Sequence, residues 1–110
     1  HDSNALLVAP KLHGSLTVFL VDNQGGGIFE NLPVAGLPAF EKCFATPQQC
    51  NFRMLCEAHQ IEFITPADWP ALVALMAEPS PAGIRVIEIK TDRKRDRTIR
   101  RELLGLGPGA

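Results

Sequence analysis

The residues best placed to do chemistry lie in one short run, Asp22-Asn23-Gln24-Gly25-Gly26-Gly27. Three consecutive glycines let the backbone come close to a ligand and turn N–H groups and carbonyls toward it. Asn23 adds an amide oxygen, a hard donor suited to Mg2+, which takes few protein ligands and completes its octahedron with phosphate oxygens and water. The run is not a dinucleotide fingerprint, since no Gly-x-Gly-x-x-Gly opens a helix here. Nor is it a Walker-type phosphate loop, since no Lys-Ser or Lys-Thr follows the glycines. A glycine triplet after a strand also suits a surface turn that binds nothing, so the residues by themselves leave both readings open.

No second reactive centre stands out. Cys43, Cys50 and Cys56 are odd in number and lack metal-ligand spacing, which argues against a disulfide framework or structural zinc and for reduced cysteines in a cytoplasmic protein. Cys56 falls on the apolar side of a helical segment and reads as a small buried hydrophobe. His1, His13 and His59 have no paired nucleophile or carboxylate, so surface or core roles are the simpler reading. No catalytic residue is assigned.

The elements that must position the loop follow from periodicity. Residues 16–21, Leu-Thr-Val-Phe-Leu-Val, form an apolar run without polar alternation, the pattern of a parallel strand covered on both faces. The loop follows that strand directly, where ligands sit in open α/β sheets. Upstream, residues 4–12 read as a short helix behind an Asp/Ser/Asn cluster, with Pro10 expected to kink or end it. Residues 33–49, with three prolines and a glycine, read as a long irregular loop. Helical spacing resumes over 52–59, with Phe52, Leu55, Cys56 and His59 on one face. A short strand is expected at 61–64. Thr65-Pro66-Ala67-Asp68 then resembles a capping box, opening a helix that carries Trp69, Leu72, Val73 and Met76 at helical intervals. Residues 84–89 form another strand, Thr91 or Asp92 caps a charged helix to about residue 104, and residues 105–110 are a loose tail. This alternation predicts an α/β fold, an open and mostly parallel sheet with flanking helices.

Composition narrows the classes. A chain of 110 residues with 45% hydrophobic content suits one small domain, and the net charge of −1 gives no overall pull toward nucleic acid or anionic membrane. The charge is uneven, however. Residues 90–103 hold seven of the eleven Lys and Arg against three of the twelve Asp and Glu. Asp92 and Asp96 interleave with Arg93, Lys94, Arg95, Arg97 and Arg100, which permits i,i+4 pairs on a solvated helix, and no aromatic is available there to stack on a base. Nucleic acid is therefore not an expected partner. No apolar run reaches the roughly 18 residues of a membrane span. The chain opens on His1-Asp2-Ser3-Asn4 with neither a basic leader nor an initiating Met, as a fragment would.

The run Val21-Asp22-Asn23-Gln24-Gly25-Gly26-Gly27-Ile28-Phe29-Glu30-Asn31-Leu32-Pro33 resembles the second half of the thiamine-diphosphate motif. More narrowly, it resembles the Asn-Asn-x-Gly-Gly-x-Ile-Phe-x-x-Leu-Pro form found in 2-succinyl-5-enolpyruvyl-6-hydroxy-3-cyclohexene-1-carboxylate (SEPHCHC) synthases of menaquinone and phylloquinone biosynthesis. Asp2-Ser3-Asn4-Ala5-Leu6, Phe44-Ala45-Thr46-Pro47-Gln48 with Phe52, and Pro66-Ala67-Asp68-Trp69 with Leu72 extend the match. Asp22 departs from it, standing where the family usually has Asn, and is expected to support the loop rather than bind metal.

The resemblance implies that residues 1–110 are part of a diphosphate- and metal-binding domain, the C-terminal fragment of a longer enzyme. It implies that the Asn23 side chain and the Gly25 carbonyl coordinate Mg2+ or Mn2+, and that Gly26, Gly27 and Ile28 border thiamine diphosphate. Ile28, Phe29 and Leu32 would form an apolar wall near the substrates. The implied partners are 2-oxoglutarate, isochorismate, the rest of the parent chain and further copies of it in a homodimer or homotetramer. The motif's Gly-Asp half and the cofactor-activating Glu are not in this sequence, so the fragment alone is expected to be inactive. Two alternatives stay open: a piece of an acetolactate synthase-like enzyme, or a non-enzymatic α/β nucleotide-binding module.

Overall fold

Three strands carry the architecture of this chain, which a computed structural model describes over residues 3–105. They are β1 (Ser15–Asp22), β2 (Glu62–Ile64) and β3 (Gly83–Lys90), in the order β1-β3-β2. β2 pairs with β3 in parallel, with Glu62 opposite Arg85, Phe63 opposite Val86 and Ile64 opposite Ile87. At the two ends of the β1–β3 pair, Gly83 N donates to Gly14 O (2.8 Å) and Thr91 N to Asp22 O (3.0 Å). With α1 (Phe52–Ala58), α2 (Trp69–Ala77) and α3 (Arg93–Leu103), this is the open parallel α/β arrangement expected from the sequence.

The chain divides into two compact units, His1–Val21 with Cys50–Ile89, and Asp22–Gln49 with Lys90–Ala110. The first holds the sheet and a core of Cys56, Ile61, Ile84 and Val86, against which Leu6, Leu12, Leu20 and Phe63 pack. Its central strand is β3, where five successive residues from Ile84 to Glu88 are buried and Ile87 is 0% exposed. Two of the five are charged. Arg85 Nη2 donates to Thr17 Oγ1 and to the Leu75 carbonyl, both at 3.3 Å, and Glu88 Oε2 accepts from Thr65 Oγ1 at 2.9 Å. Burial on a central strand demands such partners.

β1 differs from expectation. Its run suggested cover on both faces, yet Leu16, Val18, Phe19 and Val21 are exposed. The reason is position: β1 lies at an edge of the sheet and β3 occupies the doubly covered place, a distinction that apolar content cannot make.

The first helix is a 3-10 helix, Ser3–Lys11, that runs through Pro10 instead of stopping before it. α1 follows the expected face, with Cys56 buried and Phe52, Leu55 and His59 half-buried. Its cap is Asn51, whose side chain accepts from Met54 N (3.0 Å). α2 begins three residues later than the proposed box. Asp68 caps it by accepting from Ala71 N (2.8 Å), Pro70 stands in its first turn, and Thr65 is spent on Glu88. Of the four positions expected on its apolar face only Leu72 is buried, while Trp69, Val73 and Met76 are exposed. His1, Asp2 and residues 106–110 of the expected tail lie outside the described residues.

Candidate metal-diphosphate loop

The second unit is built around the 22–27 loop. Where residues 33–49 promised irregular chain, they hold a 3-10 turn at Pro33–Gly36 and a π turn at Glu41–Ala45, closed by Thr46 N donating to Glu41 O across five residues (2.8 Å). The π turn aims the Ala45 carbonyl at the glycines, where it accepts from Gly26 N at 2.7 Å.

Backbone conformation in the loop alternates between what glycine allows and what side chains must hold. Gly25 has φ +129°, and a Cβ there would overlap the Ala45 carbonyl oxygen and lie 3.0 Å from its carbon. A Cβ on Gly26 would stand 2.7 Å from both the Phe29 ring and the Phe44 carbonyl oxygen, and one on Gly27 would stand 2.8 Å from the Asn23 amide nitrogen. Gln24 takes φ +59° without being glycine, a conformation that needs support. Asp22 supplies it: its carboxylate accepts from Gln24 N (3.1 Å) and from Gln24 Nε2 (2.9 and 2.8 Å). Asp22 thus braces the loop.

Arg93, at the start of α3, holds the loop from the other side. Its Nη1 donates to the Gln24 carbonyl (2.9 Å), its Nε to Glu30 Oε1 (2.8 Å) and its Nη2 to Glu41 Oε2. The Arg93 and Glu30 side chains are 10% and 5% exposed, while Lys94 joins Glu41 from the surface at 3.2 Å. Burial pulls the Arg93 guanidinium down, but the Glu41 and Glu30 hydrogen bonds outweigh it and keep the group above its ordinary value. Hydrogen bonds from Arg93 and Lys94 hold the Glu41 carboxyl below the usual range. The N–H of Arg95 does the same for Asp92, the α3 cap, at 2.8 Å. Among the described residues, the i,i+4 pairs of Asp92 and Asp96 that spacing permits along α3 do not form. Asp92 is spent on the cap, and Arg93 and Lys94 reach back to Glu30 and Glu41.

The residues singled out from the sequence separate into three groups. Asn23 and Gly25 are joined within the turn, Asn23 Oδ1 accepting from Gly25 N (3.2 Å), and Gly25 O accepts from Gly27 N (2.8 Å). Each oxygen keeps a second lone pair, the kind of donor a hard cation takes. Among the described residues no group of three or more His, Cys, Asp or Glu could cage a metal, so these donors suit only an ion that brings most of its own ligands. Ile28, 72% exposed, and Leu32 lie on the surface. Phe29 turns inward, edge-on to Phe44 at 6.0 Å, with Phe44 stacked on Phe40 at 6.1 Å. Glu30 and Arg93 belong to no motif that marks them as part of the loop. The available signal was an acid placed between apolar residues, Phe29 and Leu32, in a chain rich in Arg.

No family model matches the chain. It is similar to curated 2-succinyl-5-enolpyruvyl-6-hydroxy-3-cyclohexene-1-carboxylate synthases: 45% identical over 97 residues to that of Rippkaea orientalis, 49% over 104 to that of a Synechococcus species and 41% over 105 to that of Thermosynechococcus vestitus. These matches cover 87%, 93% and 94% of this chain but only 16%, 17% and 19% of the relatives' own lengths. The chain thus spans less than a fifth of the synthases it resembles.

Proposed function

We propose that this chain is the carboxy-terminal segment of a SEPHCHC synthase and forms one side of its Mg2+ and thiamine-diphosphate site. The reading rests on one observation above the rest: identity of 41–49% to these synthases along 87–94% of the chain, in a sequence whose glycine loop is locked into a cation-compatible turn. Asn23 Oδ1 and the Gly25 carbonyl hold the metal, with Mn2+ as a substitute for Mg2+. Gly26, Gly27 and Ile28 border the cofactor, and Ile28, Phe29 and Leu32 supply apolar wall, Phe29 by backing the loop from within.

When bound, thiamine diphosphate would supply the carbanion chemistry by which 2-oxoglutarate loses CO2 and its remaining four-carbon unit is added to isochorismate. This chain's residues bind and orient: Asp22 and Arg93 hold Gln24 in its left-handed conformation, and that fixes the carbonyl and amide oxygens on either side of it. The chain supplies no general acid, base or nucleophile. The remaining metal ligand and further substrate-binding residues come from the rest of a cytoplasmic, homo-oligomeric parent.

The test is an assay of the full-length protein for CO2 release from 2-oxoglutarate that depends on isochorismate, Mg2+ and thiamine diphosphate. Turnover of pyruvate in place of 2-oxoglutarate would sink the assignment. By calorimetry, the 110-residue chain alone is expected to bind thiamine diphosphate weakly or not at all. Tight binding would mean that the site is complete without its other half.

A further inference from the structure

Beside the loop, and within the same unit, lies a cleft of about 320 Å3 whose lining includes Asn23, Ile28, Asn31, Asp96, Arg97 and Arg100. Its charge is unbalanced in a specific way. Arg93, which also reaches its wall, is neutralised by Glu30 and Glu41. Arg97 and Arg100 form no ion pair among the described residues, although Asp96 stands one turn from Arg100. The Arg97 Nε–H is shut off from solvent and has no acceptor. A buried donor without a partner is costly, and of the three such groups among the described residues, Arg85 Nε, Thr91 Oγ1 and Arg97 Nε, Arg97 Nε alone belongs to a residue lining this cleft.

We propose that Arg97 and Arg100, with the Asn31 amide, form an oxyanion subsite that takes a carboxylate or phosphate group of a ligand whose apolar part rests on Ile28. Guanidinium groups three residues apart on one helix present neighbouring donor forks, and that geometry matches the paired oxygens of a carboxylate or phosphate. Asn31 offers two further N–H donors. Ile28, 72% exposed, gives the apolar floor. Asp96 leaves the Arg97–Arg100 pair with a surplus of one positive charge, which suits a single anionic head and disfavours a cationic or neutral one. The choice of ligand rests on the function proposed above, since the cleft shares Asn23, Gly27 and Ile28 with the cofactor-bordering loop. A carboxylate of 2-oxoglutarate, a carboxylate of isochorismate and a phosphate of the cofactor are the three sources of such a group.

The experiment uses the full-length protein with Arg97→Gln, Arg97→Lys, Arg100→Gln and, as a control that removes the same charge from an exposed position off the cleft, Arg95→Gln. Thermal-shift titrations with 2-oxoglutarate, isochorismate, thiamine diphosphate and inorganic phosphate are read beside KM and kcat. The expected result is a loss of affinity of about tenfold or more for one class of anion in Arg97→Gln and Arg100→Gln. Arg97→Lys should recover part of it, and Arg95→Gln should match the wild type. A rise in KM for one substrate at little-changed kcat assigns the subsite to that substrate's carboxylate; weakened thiamine-diphosphate binding assigns it to the cofactor. Equal responses of wild type, Arg97→Gln and Arg95→Gln to every anion would overturn the subsite. So would an equal loss in Arg95→Gln, which would reduce the effect to general charge. Inability of the wild-type protein to decarboxylate 2-oxoglutarate, with its anion response intact and lost in Arg97→Gln, would overturn the proposed function and leave the subsite standing.

Discussion

Replacing Gly25 by Ala tests the loop at its most constrained point. Two independent penalties fall on one methyl group. The backbone sits at φ +129°, where an L side chain is strained, and the new Cβ would overlap the Ala45 carbonyl oxygen. The strain costs about 1–3 kcal/mol, and forcing a methylene into a filled site about 1–3 kcal/mol more. The Ala45 carbonyl cannot retreat cheaply, because it accepts the Gly26 N–H at 2.7 Å and belongs to a residue that is 0% exposed. Taking about 3 kcal/mol as the cost of the binding-competent turn, affinity for thiamine diphosphate with Mg2+ should fall on the order of 100-fold. The assay is calorimetric titration of the full-length protein with cofactor at saturating Mg2+. Gly36→Ala is the control, since a Cβ there meets nothing within 4 Å and its φ is ordinary. Gly25→Ala binding within about threefold of Gly36→Ala, less than about 1 kcal/mol, would refute the reasoning, because the left-handed turn would then not be the conformation that binds.

Three further outcomes are expected. Arg93→Ala strands the Glu30 carboxylate, 5% exposed, and should cost about 3 kcal/mol. It should lower the melting temperature and speed amide exchange at Gln24–Gly27, Arg93→Lys should restore part of both, and unchanged exchange would show that the clamp does not hold the loop. Glu41 and Asp92 have folded pKa values below their ordinary 4.5 and 3.8. Their contribution is therefore complete above those values and is lost as pH falls through the lower folded ones. A melting-temperature profile should decline on the acid side of about pH 4.5, and Glu41→Gln should flatten that limb; an unaltered limb would show that Glu41 adds nothing there. Burial raises the Cys56 thiol, whereas Cys43 and Cys50 are exposed. Peptide-mapped alkylation at neutral pH should label Cys43 and Cys50 well before Cys56, and equal labelling would contradict the packing of α1.

Much of the fold was legible because periodicity and capping are local. β1, β2, β3 and the three α-helices fall within a few residues of their expected places, and Asp92 caps α3 as its spacing suggests. What was not legible depends on partners distant in sequence. Thr65 and Asp68 both suit a helix cap, and only the hydrogen bond from Thr65 to Glu88, 23 residues away, leaves the cap to Asp68. β1 reads as a central strand from its residues, yet sheet order puts it at the edge. The loop shows the same division. Glycines at 25–27 announce close backbone approach, but the carbonyl that approaches comes from residue 45. The Arg93–Glu30 pair spans 63 residues, and in sequence Arg93 looks like one more charge on a solvated helix.

The contact between Gly25 and the Ala45 carbonyl also bears on how this loop can evolve. Its second member is a peptide oxygen, which every residue type provides equally, so mutation at 45 cannot relieve or compensate a side chain at 25. Pairs of positions normally reveal their dependence by changing together, but this one can change only on the glycine side, and there only for the worse. Relief would need the π turn at Glu41–Ala45 to gain or lose a residue and rotate its carbonyls away. Homologues that have shed the glycine should therefore differ in the length of that turn, a coupling between an identity and a gap that comparisons of substitutions alone would miss.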